Sequence, residues 1–346
     1  MLMTWVLLLG FLVTPQSTFP PRQTEDGRHE RLLPQMPFRR NPAIYLKRAA
    51  QMGGGGDTEQ ALSSALEALA GCQTADGSWE PAAEGSRVEV TSLALIAYFA
   101  AGWNSWDQET LPVSLGWRWG LAGAKTGPGV PYHLVLRRGI IYLLSRQNAD
   151  GFIGERDGSH SLRDHAVGAM ALSEAYGWSG LAILRHPAER AIKAMVAEAS
   201  SWTRGDPEAA GWAAQALRSA VLARLPFDRD AWNHMVPRLM TPAAGIPRKG
   251  AVDLLIWHQL RRSGRLPAVF LRDPPSRNLP SGDLRDWYWG SVALARWDTS
   301  QGPIWKPWNE RMKSELLSMK KSDAESLAFQ ALTLEAYYPD NVFGLK

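Results

Sequence analysis

Cysteine is nearly missing from this chain of 346 residues, because Cys72 is the only one. A single thiol forms no disulfide within the chain and cannot build a zinc site made of cysteines. A phosphate-binding P-loop, a dinucleotide-binding glycine fingerprint and a recognisable Ser/His/Asp set are missing as well. We therefore expect no bound metal, no cofactor and none of the activities that depend on these motifs.

A dense basic tract is also missing. The formal net charge is +4, and Lys and Arg are interspersed with Asp and Glu along most of the chain. Nucleic-acid-binding domains concentrate their Lys and Arg residues on one face or stripe. No nucleic-acid partner is therefore expected.

The chain has no apolar run long enough to cross a membrane. Residues 5–13 form a run of nine apolar residues, whereas a membrane-spanning helix needs about 20. Such a short run is typical of a signal-peptide core, although the positively charged start and the small-residue cleavage site are missing. We predict a signal-peptide-like segment over residues 1–17 and an exported protein, periplasmic or extracytoplasmic. Membrane contact is expected only through this segment.

Residues 18–56 are predicted to be a flexible linker. They are rich in Pro, Arg and Gln, and they end in four consecutive glycines at 53–56. Ordering four glycines in a row costs much backbone entropy. We therefore expect residues 1–56 to pack little against the one folded domain, which covers residues 57–346.

The rest of the chain predicts an all-α fold. No segment alternates apolar and polar residues over the length of a strand, whereas apolar residues recur at helical spacing and Gly, Pro, Asp and Asn separate the segments. The predicted helices cover residues 58–72, 87–101, 131–147, 162–177, 187–202, 207–224, 228–240, 247–263, 266–272, 285–297, 304–319 and 323–338.

These twelve helices form six pairs with a repeat of roughly 40 residues. The second helix of most pairs is richer in small and apolar residues, as buried inner helices behind amphipathic outer helices would be. Six such pairs usually close into a ring. The sequence therefore predicts an α/α toroid, an (α/α)6 barrel of helical hairpins, with an open solenoid of helical pairs as the alternative.

Two turns carry a recognisable motif. Residues 72–79 read Cys-Gln-Thr-Ala-Asp-Gly-Ser-Trp and resemble the Q-x-x-x-G-x-W signature of the squalene cyclase and prenyltransferase repeat. Residues 146–152 are a second copy with Phe in place of Trp. Glycine supplies the left-handed turn after an outer helix, and the aromatic ring packs onto it, so Trp79 is predicted to be buried. Longer stretches covering most of residues 58–340 resemble α/α toroid proteins of planctomycete-type bacteria, whose activity is unassigned.

The resemblance implies relatives that cyclise polyprenes, transfer prenyl groups or form thioester domains of complement-like proteins. Class II terpene cyclases start their reaction with a D-x-D-D motif. None occurs here, and the nearest analogue is Asp206-Pro207-Glu208, which an N-cap and an acidic first turn explain structurally. Protein prenyltransferases bind zinc through Asp, Cys and His of inner helices, whereas Cys72 falls at the end of a predicted outer helix.

Acidic residues near the starts of the predicted inner helices are the main candidate site. They are Glu89, Asp164, Glu208, Asp253, Asp286 and Glu325, which would surround one mouth of a toroid. A glycosidase or lyase needs two such carboxylates across a groove, whereas helix N-termini favour acids in any protein. Catalytic candidates are Asp206, Glu208 and Asp286. Candidates for ligand binding are Glu89, Asp164 and the neighbouring His165.

Aromatic residues on the predicted inner helices complete the list of ligand-binding candidates. Trp212, Trp287 and Tyr288 are candidates to line a central cavity for an apolar or sugar-like ligand. The sequence thus predicts a toroid similar to terpenoid cyclases and prenyltransferases that binds a small molecule or a protein at its axial cavity, with its activity undetermined. The alternatives are a degenerate squalene-cyclase-like enzyme and a carbohydrate-active (α/α)6 enzyme with paired carboxylates.

Overall fold

The structure is a computed structural model, and its described part is helical throughout. The described residues are 47, 49–82, 85–103, 131–157, 160–198, 207–228, 284–297, 302–303, 305–319 and 323–337. Within these ranges nine α-helices and one 3-10 helix are fully described, residues 47 and 49–52 are also helical, and there is no strand. The all-α prediction is confirmed. The predicted helices over 228–240, 247–263 and 266–272 lie outside the described residues.

The helices follow the apolar periodicity of the sequence. They are α1 (Gly56–Gly71), α2 (Arg87–Ala100), α3 (Tyr132–Ser145), α4 (Ser161–Ser179), α5 (Ala182–Ala197), α6 (Pro207–Leu222), α7 (Leu284–Trp297), α8 (Trp305–Ser318) and α9 (Ala324–Leu334), followed by the 3-10 helix Glu335–Tyr337. Most ends agree with the predicted bounds to within a few residues. The exception is α5, which begins at Ala182 instead of residue 187 and therefore contains Pro187.

Two kinds of helix alternate along the chain. Helices α2, α4, α6, α7 and α9 are the core helices, which are buried on most sides; in α2 every residue from 88 to 100 is buried. Helices α1, α3, α5 and α8 are the flanking helices, which bury one face. Each described flanking helix precedes a core helix. The predicted contrast between the first and second helices of the pairs is therefore present.

The core helices contact one another in the order α6, α4, α2, α9, α7. The two ends of this row also meet, because the rings of Trp212 on α6 and Tyr288 on α7 stack with their centroids 5.2 Å apart. Side chains from the first turns of all five core helices lie together at one end. Helix caps fix two of these starts: Ser86 accepts from the Glu89 N–H, and Asp323 accepts from the Ser326 N–H.

The two motif turns connect neighbouring pairs. The Gln73 side-chain amide donates to the carbonyls of Gly77 and Val135, and Gln147 donates in the same way to Gly151 and Pro187. Trp79 is fully buried, and its indole N–H donates to the Leu69 carbonyl at 2.7 Å. The predicted burial of Trp79 is confirmed.

The end of the predicted linker belongs to the folded part, so the linker prediction is wrong for residues 49–56. Ala49 and Met52 are buried, and the Trp305 indole N–H donates to the Met52 carbonyl at 2.8 Å. Gly53 has a φ of +95°, and a Cβ there would lie 2.3 Å from Asn309 Nδ2. Gly53 therefore allows a close approach of the backbone to Asn309 of α8, and Gly56 already lies in α1.

The predicted signal segment and most of the predicted linker lie outside the described residues. None of the described helices is both long enough and apolar enough to cross a membrane.

Candidate functional site

Arg285, in the first turn of α7, joins carboxylates from three other core helices. Its Nη1 donates to Glu89 Oε1 of α2 and to Glu208 Oε1 of α6, each at 2.9 Å. Its Nε and Nη2 both donate to Glu325 Oε1 of α9, at 3.1 and 2.5 Å. The guanidinium also lies over the Phe329 ring, 5.0 Å from the centroid. One side chain therefore ties the starts of α2, α6, α7 and α9 together.

A second guanidinium comes from the remaining core helix, α4. Arg163 Nε lies 3.2 Å from Glu89 Oε1, and Arg163 Nη1 lies 3.4 Å from Glu208 Oε2. These contacts are longer than those of Arg285, and Arg163 Nε forms no hydrogen bond within the described part of the chain. Together with the adjacent Asp164, the residues form the charged cluster, which consists of Glu89, Arg163, Asp164, Glu208, Arg285 and Glu325.

Burial dominates the electrostatics of the charged cluster. Glu89 is fully buried, and burial raises the pKa of its carboxyl to about 7, although Arg285 and Arg163 act in the opposite direction. Burial also raises the pKa of Asp164, against the effects of the Ser86 hydroxyl and Arg163. For Arg285, burial acts to lower the pKa, but Glu208, Glu89 and Glu325 outweigh it and raise the pKa. Glu89 is therefore partly protonated near neutral pH.

Two acceptors in the charged cluster lack donors. Glu89 Oε2 and Asp164 Oδ1 are buried and accept no hydrogen bond from any described residue. Among the described residues, the cluster holds four carboxyl groups and two guanidiniums. Buried polar atoms in native proteins are almost always hydrogen-bonded. Glu89 Oε2 and Asp164 Oδ1 depart from this rule.

Aromatic side chains fill the interior directly below the charged cluster. The Trp289 indole N–H donates to Glu208 Oε1 at 3.3 Å. The Trp289 ring packs edge-on against the Trp212 ring, with the centroids 4.8 Å apart. Gln215 Nε2 donates to the Tyr288 hydroxyl at 3.0 Å. Trp212, Tyr288 and Trp289 are fully buried. The Trp212 and Tyr288 rings pack against each other, so neither has solvent-exposed surface, and their role in ligand binding stays a prediction.

Trp287 points away from this interior, and its role as a ligand-binding residue stays a prediction. Its ring packs on Trp308 of α8, with the centroids 4.6 Å apart. Consecutive residues of an α-helix are about 100° apart around the axis. Trp287 and Tyr288 therefore cannot both face the interior that Tyr288 occupies.

His165 supports the second motif turn through one ring nitrogen, while its buried Nε2 has no hydrogen-bond partner among the described residues, so its role as a ligand-binding residue stays a prediction. Its Nδ1 accepts from the Ile153 N–H at 3.0 Å, and its ring stacks on Phe152 with the centroids 4.3 Å apart. Burial lowers the pKa of His165 to about 3, so the ring is neutral. Its neighbour Asp164 faces the charged cluster, whereas His165 supports the second motif turn.

The acidic candidate residues differ in whether they belong to the charged cluster. Glu89, Asp164 and Glu208 lie in the charged cluster, and Glu325 lies there with them. Asp286 is half-buried in the first turn of α7, next to Arg285. Asp206 and Asp253 lie outside the described residues.

The sequence reasoning missed the two arginines that hold the charged cluster together. A pattern pointed to them: Leu-Arg-Asp occurs at residues 162–164 and again at 284–286, at the start of two core helices. In the described part of the chain, no group of three or more His, Cys, Asp or Glu side chains is placed to hold a metal ion. No family model, no curated protein and no solved structure matches the chain.

Proposed function

We propose that the helical pairs close into an α/α toroid and that the charged cluster at one end of its axis binds a ligand. The order of the core helices, together with the side-chain contacts between α6 and α7, supports closure. The observation that carries the binding proposal is the pair of buried carboxylate oxygens without donors, Glu89 Oε2 and Asp164 Oδ1. A ligand with hydrogen-bond donors would supply the partners that these two oxygens lack.

A purely structural ion network explains these features less well. A buried ion pair contributes little net stability, because removing charges from water offsets most of their attraction. An unpaired buried acceptor adds a further cost of about 1–3 kcal/mol. A network selected only for stability would satisfy its oxygens. Buried carboxylate oxygens without donors are what a site for a polar ligand requires.

The packed aromatic interior favours a polar ligand at the end of the axis. It argues against a polyprene bound within the interior. Trp212, Tyr288 and Trp289 have no exposed surface, so no solvent-sized space adjoins their rings. A terpene cyclase needs an open apolar chamber and an acidic proton donor, and D-x-D-D is missing from the sequence. Terpene cyclisation therefore has no supporting observation in this chain.

A second candidate function is hydrolysis or elimination on a carbohydrate with two carboxyl groups. The specific observation is that Glu89 and Glu208 both bond to Nη1 of Arg285, while the pKa of Glu89 is about 7. Acid–base catalysis on glycosides uses a pair of carboxyl groups, one of which has a raised pKa and acts as the acid. This function is tested by measuring the release of reducing ends from a panel of oligosaccharides. The release must disappear in Glu208→Gln.

Binding is tested by thermal-shift and calorimetric titration with four compound classes: amines, polyols and sugars, carboxylic acids and prenyl alcohols. We expect a polar compound to bind the wild-type chain and to lose affinity in Glu208→Gln and Glu325→Gln. Glu80→Gln is the matched control, because Glu80 forms an exposed ion pair with Arg87 outside the cluster. Binding that the cluster variants leave unchanged, or no binding from any class, would overturn the proposal.

We also propose export of the protein, and the support is the apolar run at residues 5–13. The measurement is the mass and location of the protein after expression with its natural N-terminus. A chain that keeps residues 1–17 and stays inside the cell would contradict it.

A further inference from the structure

We infer that the ligand of the charged cluster is recognised through a primary ammonium group, held by the carboxylates of Glu89, Asp164 and Glu325. This inference rests on the proposed function and names the chemical class of the ligand. The three carboxylates come from three different core helices, α2, α4 and α9.

The donor count favours an ammonium group over a hydroxyl group. The unpartnered atoms Glu89 Oε2 and Asp164 Oδ1 are acceptors. An ammonium group carries three donors and no acceptor, whereas a hydroxyl group adds lone pairs of its own beside the carboxylates. Charge-assisted hydrogen bonds from a cation to a carboxylate are also roughly twice as strong as neutral ones.

The charge balance favours a cation over an anion. Among the described residues, four carboxyl groups face two guanidiniums, and Arg285 already donates to Glu89, Glu208 and Glu325. The N-termini of the core helices reduce this surplus of negative charge, since each carries a partial positive charge. At α2 and α9, however, Ser86 and Asp323 already accept from the first-turn N–H groups. Formal charges a few ångströms away outweigh the remaining partial charges.

Solvent reaches the charged cluster from the end of the core helices. Arg285 and Glu325 have side chains that are 18% and 17% exposed, and Arg163 is 12% exposed, whereas Glu89 lies fully beneath them. Gly85 borders this entry, since a Cβ there would lie 3.4 Å from Glu325 Oε2. A small ammonium ligand would first meet Glu325 and then Asp164 and Glu89.

Proton release gives this binding a measurable signature. Glu89 faces Arg163 of α4, Glu208 of α6, Arg285 of α7 and, across Arg285, Glu325 of α9. Asp164 faces Ser86, Arg163, His160 and Arg285. A bound cation favours the ionised form of Glu89, so it competes with the proton that burial favours. Affinity must therefore fall as the pH drops below about 7.

The test uses three probes with the same carbon chain: n-butylamine, n-butanol and butyrate. Calorimetry at low salt is expected to show binding of n-butylamine alone, at least about tenfold weaker at pH 5.5 than at pH 7.5. Glu89→Gln should weaken binding and reduce the pH dependence, of which Asp164 accounts for the remainder. Glu325→Gln, a change at a partly exposed side chain, should weaken binding in a folded protein. Glu80→Gln should leave it unchanged.

The other possible binding results bear differently on the ammonium inference and on the proposed function. Binding of n-butanol or of a sugar without n-butylamine would overturn the ammonium inference and leave the proposed function standing. Binding of butyrate that is lost in Arg163→Gln would do the same. No binding by any probe or compound class would remove both. If n-butylamine binds Glu325→Gln as tightly as the wild type, the amine binds outside the charged cluster and the inference is overturned.

Discussion

The buried carboxyl of Glu89 should make the stability of the protein fall as the pH rises through neutrality. The pKa of Glu89 is about 7 in the folded chain, against a reference value of 4.5. Between these two values the folded state holds a proton that the unfolded chain has already released. The contribution of Glu89 to stability is therefore fully present below about pH 4.5 and is lost as the pH rises through about 7.

The size of this loss follows from the two pKa values. One unit corresponds to 1.36 kcal/mol, so the shift from 4.5 to about 7 amounts to about 3 kcal/mol in the free energy of unfolding. Glu89→Gln removes the titrating group but keeps an oxygen that accepts from Arg285. The variant should therefore gain stability relative to the wild type as the pH rises from 5 to 8.

The assay is urea denaturation of the wild type and Glu89→Gln at several pH values between 5 and 8. Burial also raises the pKa of Asp164, so the wild-type curve alone contains a second contribution of the same sign. The difference between the two proteins isolates Glu89, and Glu80→Gln serves as the exposed control. A difference that stays constant within about 0.5 kcal/mol, or one that moves in the opposite direction, would refute the reasoning.

Three further predictions concern the packing around the site. Trp79→Ala should lower the free energy of unfolding by roughly 3–5 kcal/mol, because the ring is fully buried, and a loss below about 1 kcal/mol would contradict this. Gly77→Ala should cost roughly 1–3 kcal/mol or more, because Gly77 has a φ of +88° and a Cβ there would lie 2.5 Å from a backbone carbonyl oxygen. Gly71→Ala, with open space around it, should be neutral or stabilising by about 0.4–1 kcal/mol, so equal effects of the two changes would refute the argument. Deleting residues 1–54 should cost at least about 2 kcal/mol more than deleting residues 1–48, because buried side chains are lost, and equal midpoints would restore the linker interpretation.

Apolar periodicity predicted the helices well because each core helix buries most of its surface. The predicted helix bounds placed the acids at the helix starts, and the Q-x-x-x-G-x-W turn motif predicted the burial of Trp79. Neither pattern revealed how Arg285 is used, since an arginine in the first turn of a helix normally faces solvent. Its bonds to Glu89, Glu208 and Glu325 depend on three other helices meeting at that point.

Two differences between the sequence prediction and the structure have physical causes. The glycines at 53–56 were interpreted as flexible, but a residue without a side chain serves equally well where backbone must approach another element closely. His165 was proposed as a site residue because it follows Asp164 at a helix start, and Trp287 because it is an aromatic residue on a core helix. A step of one residue turns the side chain by about 100°, which directs both of them toward flanking elements.

The contact between Arg285 and Glu208 is the central feature of the account, because it links α7 to α6 and forms the middle of the charged cluster. A double-mutant cycle with Arg285→Met and Glu208→Gln measures it directly through the free energies of unfolding of four proteins at pH 7. We expect a coupling energy of about 1–3 kcal/mol, whereas a parallel cycle on the exposed pair of Arg156 and Glu198 should show little coupling. Effects of the two substitutions that add within about 0.5 kcal/mol would show that these side chains do not meet, and they would contradict both the closed arrangement and the site.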